Sequence, residues 1–130
     1  MKFTPVFNGK ITSIRFYKGS GNGGTHVGSL WSASGTLLSR VSFGNETSSG
    51  RQEARFDTPV AVSAGVSYVA SYFAPKGHYA NTENYFVAPE QSGIFCVPSN
   101  AGVYKYSSSP AFPTDSFQSS NYWVDVTLVP

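Results

Sequence analysis

Thr25 to Phe43, THVGSLWSASGTLLSRVSF, sets two runs of strand-forming residues on either side of Ser34-Gly35. Ser-Gly between apolar runs interrupts a strand, because glycine reaches the positive φ angles of tight hairpin turns without a Cβ penalty. The stretch therefore reads as a hairpin, and the rest of the chain as partners for this ribbon. In the first arm Gly28, Leu30 and Ser32 share one face and Val27, Ser29 and Trp31 the other; alternation leaves open which is buried. The second arm carries Leu37, Leu38, Val41 and Phe43.

Upstream, Lys10 to Lys18 (KITSIRFYK) places Ile14 and Phe16 on one face and Ser13, Arg15 and Tyr17 on the other, as a half-buried strand requires. The glycine-rich run Gly19 to Gly24 between this strand and the hairpin reads as a flexible surface loop. It is no phosphate loop, which would need a Lys-Ser/Thr pair and a following helix. Phe3 to Phe7 is a short extended segment in which Pro5 cannot donate to a ladder, so an edge strand or a strand entrance is expected.

Downstream, Gly44 to Gly50 is a polar loop. In Arg51 to Asp57, Ala54 and Phe56 alternate with Arg51, Glu53, Arg55 and Asp57, one apolar face against one charged and solvated face. Thr58 to Val62 leads into a turn at Ser63-Ala64-Gly65. Val66 to Phe73 (VSYVASYF) is apolar on both faces and is expected to be central and covered on both sides, or to line a groove with one face. From Ala74 to Ser120 alternation fades amid proline and glycine. Yet the segment holds Tyr79, Tyr85, Phe86, Phe95, Tyr104, Tyr106, Phe112 and Phe117, far more rings than a disordered stretch carries. Short strands are expected near Tyr85 to Val87 and Val103 to Tyr106, with loops pinned by aromatic anchors. Asn121 to Val129 closes the sheet, with Tyr122, Val124, Val126 and Leu128 on one face and Trp123, Asp125 and Thr127 on the other.

About eight to ten strands with turn signals at intervals of roughly 8 to 12 residues, and no helical periodicity, imply an antiparallel β-sandwich of jelly-roll or immunoglobulin-like type, with a closed barrel as the alternative. The 130 residues suit one domain, and no internal repeat or interdomain linker interrupts them. Charged residues are 12% of the chain, against about 25% in ordinary soluble proteins. With the abundance of Ser, Gly, Tyr and Phe, this is the composition of a secreted all-β protein. Met1-Lys2 leads directly into Phe3-Thr4-Pro5-Val6-Phe7, with no apolar signal core, so a module cut from a longer exported protein is expected, secreted or at a cell surface.

The net charge is +2, with basic residues scattered rather than gathered into a phosphate-tracking patch, which argues against nucleic acid. No run approaches the ~20 apolar residues of a membrane span. Cys96, the single cysteine, lies in the apolar run Gly93 to Val97 and is expected to be an inert packing residue.

No catalytic constellation emerges. His26 and His78 lie in no zinc spacing. No Gly-x-Ser-x-Gly elbow occurs, and a carboxylate pair for glycoside cleavage can be drawn from any seven scattered acids. A structural calcium would draw on Asn45, Glu46, Asp57, Asp115 and Asp125, but no DxDxDG-like run is present, and such residues ordinarily serve turns. An enzyme is not expected, nor a cofactor.

Aromatic platforms are the stronger signal. Sugar rings stack their C–H faces on Trp and Tyr, while Asn, Asp, Arg or His hydrogen-bond the hydroxyls. Trp123, flanked by Asn121 and Asp125 and on the face of its strand opposite the apolar one, leads the candidates. Tyr79, Tyr85, Tyr104 and Tyr106 in or near loops, His78, His26 and Asp125 complete the expected ligand-binding set. Taken singly, each ring is better read as a packing or loop anchor, Trp31 most of all; collectively they favour a binding face.

Several segments together resemble a known family. Ile14-Arg-Phe-Tyr-Lys-Gly-Ser-Gly-Asn22, Thr25-His-Val-Gly-Ser-Leu-Trp31, Gly35-Thr-Leu-Leu38, Thr58-Pro-Val60, Ala64-Gly65, Tyr68-Val-Ala-Ser-Tyr72, Gly102-Val-Tyr104 and Asn121-Tyr-Trp-Val-Asp125 are similar to the consensus of the bacterial domain of unknown function 4082. The resemblance covers nearly the whole chain. It implies a β-sandwich module of exported multidomain proteins, found beside immunoglobulin-like, polycystic-kidney-type and glycoside-hydrolase domains, and brings no catalytic residues. Between Glu90 and Ala101 the chain departs from a family loop richer in Gly and Asp, so no binding feature is carried over there. Scaffold, aromatic loops and family company together give the expectation of a monomeric, non-catalytic carbohydrate-binding or adhesion module whose partners are a glycan and neighbouring domains. The alternative is a structural spacer without a ligand.

Overall fold

A computed structural model of the chain describes residues 1–19, 22–44, 46–47, 49–73, 90–92, 95–97, 112–113 and 124–130. The alternating segments form strands: β1 (Lys2–Pro5), β2 (Gly9–Lys18), β3 (Val27–Ser32), β4 (Leu37–Ser42), β5 (Gly50–Val62), β6 (Tyr68–Phe73), β7 (Glu90–Ser92), β8 (Phe95–Val97) and β9 (Val124–Val129). They make two antiparallel sheets, ordered β4-β3-β6-β1-β8-β7 and β5-β2-β9, and no helix occurs among the described residues. The two sheets are separate layers with the apolar faces of β2, β5 and β9 against those of β1, β3 and β6. The fold is an open β-sandwich.

The core between the layers is built from Phe3, Ile11, Ile14, Phe16, Leu30, Phe43, Ala54, Phe56, Tyr68, Ala70, Val124 and Val126, all buried. Removing each large aliphatic or aromatic side chain from water stabilises the fold by about 1.5–3 kcal/mol. β2 supplies Ile11 and Ile14, three positions apart, to the same interior. Strict alternation forbids this, and a bulge permits it: Ile11 pairs with Leu128 and Ser13 with Thr127, leaving Thr12 as an extra residue. On the other side Ile11 pairs with Val60 and Ser13 with Arg55, so residues 56–59 stand opposite Thr12. Pro59, which has no N–H for a ladder, falls in this irregular stretch.

The hairpin is present as expected. Its turn is closed by the Ser32 N–H to Thr36 O at 2.9 Å and the Gly35 N–H to Ser32 O at 3.1 Å, with Gly35 at φ 95°. Both faces of β3 are covered, which is why alternation could not choose between them. Leu30 enters the sandwich core, while Trp31 packs with Val69 and Phe112 in a second cluster on the outer side of the sheet. β6 lies between β3 and β1 with Tyr68 and Ala70 inward and Val69 outward, the central, doubly covered strand its composition suggests. The charged face of β5 is solvated, with Gln52, Ala54 and Phe56 buried between exposed Arg51, Glu53, Arg55 and Asp57.

Three expectations are corrected. β1 is not an edge strand: Lys2 and Phe3 pair with β6, and Thr4 and Pro5 with β8, so the short strand bridges two neighbours and Pro5 sits at its end. The run from Glu90 to Val97 is not plain loop, because β7 and β8 pair there and extend the sheet. Cys96 is exposed, since alternation on β8 turns it away from Phe95, which packs against the core. The strands expected near 85–87 and 103–106 lie outside the described residues.

Candidate binding face

The three-stranded sheet buries one face and offers the other to solvent, and its register assembles a block of polar side chains. β2 is the middle strand. Tyr17 pairs with Arg51, Arg15 with both Glu53 and Asp125, and Ser13 with both Arg55 and Thr127. Directly opposed residues on one face lie about 4.5–5.5 Å apart at Cβ, within reach of one another.

The acids of this face are held by its own donors. Arg15 forks onto Asp125, its Nε donating to Oδ1 at 2.9 Å and its Nη2 to Oδ2 at 3.0 Å, the planar bidentate match of guanidinium to carboxylate. Glu53 Oε2 accepts from the Ser13 hydroxyl at 2.7 Å and from the Thr127 hydroxyl at 3.2 Å, the two hydroxyl oxygens lying 2.9 Å apart. The Ser13 hydrogen bond lowers the Glu53 pKa, burial opposes it, and Thr127, Arg55 and Arg15 add to the lowering, so the carboxyl stays below its ordinary range.

Not every group on the face is engaged. Tyr17 is 50% exposed. The Arg51 side chain is 60% exposed, and its Nη1 approaches Asp125 Oδ2 at 3.8 Å, too long for a hydrogen bond. Arg55 is exposed, and among the described residues no hydrogen bond reaches either guanidinium. An exposed ring beside exposed guanidinium groups that make no hydrogen bond among the described residues is therefore the chemically available part of the face.

A second polar cluster is built around two buried side chains, His26 and Asn22, with Lys18 and Glu46 only partly exposed. His26 is buried, with Nε2 2.7 Å from Asn22 Oδ1 and Nδ1 2.7 Å from Glu46 Oε1, a close approach without the alignment of a good hydrogen bond. Lys18 Nζ donates to the same Oε1 at 3.2 Å and to Thr47 O at 3.0 Å. Burial raises the Glu46 pKa, but the contacts and charges of His26 and Lys18 outweigh it and hold the carboxyl below its ordinary range. The His26 ring packs on Phe16 at 4.9 Å between centroids. This knot ties the segments on either side of the hairpin to the end of β2, and it corrects the picture of the glycine-rich run as pure surface: Asn22 is 1% exposed.

Of the expected ligand-binding residues, Asp125 lies on the open face in the grip of Arg15, and His26 lies inside, away from any approaching molecule. Trp123, Tyr79, Tyr85, Tyr104, Tyr106 and His78 lie outside the described residues. Trp31 is the packing anchor its place in the hairpin suggested, 6% exposed, with its indole N–H donating to Ser71 Oγ at 2.8 Å. Tyr17, Arg51 and Arg55 were legible as solvent-facing from alternation alone. What placed them together is the pairing of β2 with β5, a contact between distant segments that neither strand announces.

Among the calcium candidates, Glu46 faces Lys18 and His26, and Asp125 faces Arg15. Asp57 is exposed, and Asn45 and Asp115 lie outside the described residues. Among the described residues no group of three or more His, Cys, Asp or Glu side chains is placed to hold a metal ion.

The chain belongs to the family described as Domain of unknown function (DUF4082), which it matches over residues 1–124. No curated protein and no solved structure matches it.

Proposed function

We propose that this domain is a non-catalytic carbohydrate-binding or adhesion module of an exported, multidomain bacterial protein, working outside the cell or at its surface without a cofactor. One observation carries the reading: Tyr17, 50% exposed, stands in register with the exposed Arg51 on the outer face of the three-stranded sheet. An exposed ring offers the C–H face of a sugar a stacking surface, and the adjoining guanidinium hydrogen-bonds its oxygens. The acids of the face serve as ligands to their own neighbours, which suits a binding surface better than acid-base chemistry.

The second reading, a spacer contacting neighbouring domains, is favoured by the internal pairing of Arg15 with Asp125 and of Ser13 and Thr127 with Glu53, since a self-satisfied sheet face needs no ligand. Presenting the isolated chain to an array of immobilised polysaccharides separates the two. Retention on at least one glycan is expected, weakened about tenfold by Tyr17→Ala, the scale of one lost aromatic contact. Parallel Trp123→Ala, Tyr79→Ala and Tyr104→Ala variants test whether the platform extends beyond the sheet. Absence of retention on every glycan leaves the spacer.

A further inference from the structure

We infer that the glycan recognised at this face is acidic, its carboxylate taken by Arg51 while Tyr17 stacks on the same sugar ring; this rests on the carbohydrate-binding reading above and specifies its ligand class. The acids of the face already have hydrogen-bond donors. Both oxygens of Asp125 accept from Arg15, at 2.9 and 3.0 Å. Glu53 Oε2 accepts from Ser13 and Thr127. The cations are differently placed: Arg51 has only the 3.8 Å approach to Asp125, and Arg55 has no hydrogen bond among the described residues. A ligand arriving at the face thus meets two exposed guanidinium groups without hydrogen bonds among the described residues, beside acids whose hydrogen bonds come from Arg15, Ser13 and Thr127.

The shape of those donors narrows the ligand. A guanidinium presents two parallel N–H groups that match a carboxylate, and the match is stronger than with neutral hydroxyls because both partners are charged. Tyr17 is the cross-strand partner of Arg51, so a pyranose lying on the ring would carry its carboxylate toward the guanidinium without leaving the face. The interspersed acids set a limit as well. Glu53 and Asp125 flank Arg15 on the adjoining cross-strand row, and like charges on one face repel, so a densely anionic strand such as a nucleic acid is disfavoured while a sugar carrying one carboxylate fits. A sulfate ester shares the anionic chemistry, and the test distinguishes the two.

Calorimetric titration of the chain with polygalacturonate, with the same polymer after carboxyl reduction, with a sulfated galactan and with a neutral glucan decides the matter. Polygalacturonate is expected to bind, with affinity falling as salt rises, and to lose roughly tenfold or more on carboxyl reduction, as expected when a charge-assisted bidentate contact is removed. Arg51→Gln and Tyr17→Ala should each reproduce that loss, and Arg51→Lys should restore only part of it, because a lysine keeps the charge without the fork. Both side chains are exposed, so circular dichroism should find the variants folded; Lys2→Gln, an exposed cation on the other sheet, should bind as the parent does.

Equal affinity for polygalacturonate and for its carboxyl-reduced form would overturn the acidic-ligand inference and leave the carbohydrate reading standing. Preference for the sulfated galactan over polygalacturonate would overturn the carboxylate assignment. Binding to none of the four, together with no retention on the wider array, would remove both the inference and the reading beneath it.

Discussion

Around Phe16 three rings converge: His26 at 4.9 Å, Phe43 edge-on at 4.8 Å and Tyr72 stacked at 4.3 Å between centroids. The residue is 1% exposed and joins the middle strand of one sheet to the far sheet and to the His26 knot. Close by, Gly28 shows what such packing demands of its neighbours. A Cβ at Gly28 would lie 3.0 Å from Ile14 Cβ and Cγ2 and from Phe43 Cε1, so the two layers meet over a position with no room for a methyl group. Gly28→Ala is predicted to destabilise the domain by about 1–3 kcal/mol through overpacking, read as a lower urea midpoint at unchanged slope. An unchanged midpoint would mean that Ile14 and Phe43 yield freely. In the sequence Gly28 could be assigned only to the face it shares with Leu30; that a glycine is required there depends on Ile14, on a strand of the opposite sheet.

At the scale of elements, β2, β5 and β9 were legible because each alternates over most of its length, β2 from Ser13 to Tyr17 and β5 from Arg51 to Asp57, and has one solvated face, which is the condition under which period-two patterning is informative. The position of β1 was not. Its four residues divide their pairing between β6 and β8, and such partners are chosen by contacts across most of the chain. The buried Asn22 was hidden for a related reason: a glycine-rich run looks free of anchors until His26 and its surroundings fold over one side chain.

The knot and the polar face both give the elements a pH dependence. Glu46 and Glu53 are each held below the ordinary value of 4.5. A carboxyl whose folded pKa is depressed contributes its full stabilisation above the unfolded value and loses it as pH falls through the folded one. Stability is therefore predicted to fall as pH drops below the ordinary carboxyl value of 4.5 toward the depressed folded values. Urea unfolding across that interval should show Glu46→Gln and Glu53→Gln each losing less than the parent chain. Parallel curves for all three proteins would place the acid sensitivity in other groups.

For the whole molecule, alternation and turn chemistry yielded the sandwich, and the spread of aromatics yielded the expectation of a binding surface. Where a ligand would sit was less accessible. The sequence directed attention to the loops between Ala74 and Ser120 and to Trp123, which lie mostly outside the described residues; the candidate face that the described residues assemble is the outer side of β5-β2-β9, built by register from segments as distant as Arg15, Arg51 and Asp125. A sheet face that holds its own acids in place beside one exposed ring and two exposed guanidinium groups is organised before any ligand arrives, and preorganisation of this kind limits the entropy lost on binding. The most direct test is a residue-resolved titration of the isotopically labelled chain with polygalacturonate oligosaccharides, followed by amide and side-chain NMR shifts. The account predicts saturable shifts centred on Tyr17, Arg51 and Arg55 and fading across β9; shifts confined to the six-stranded sheet, or none at saturating sugar, would contradict it.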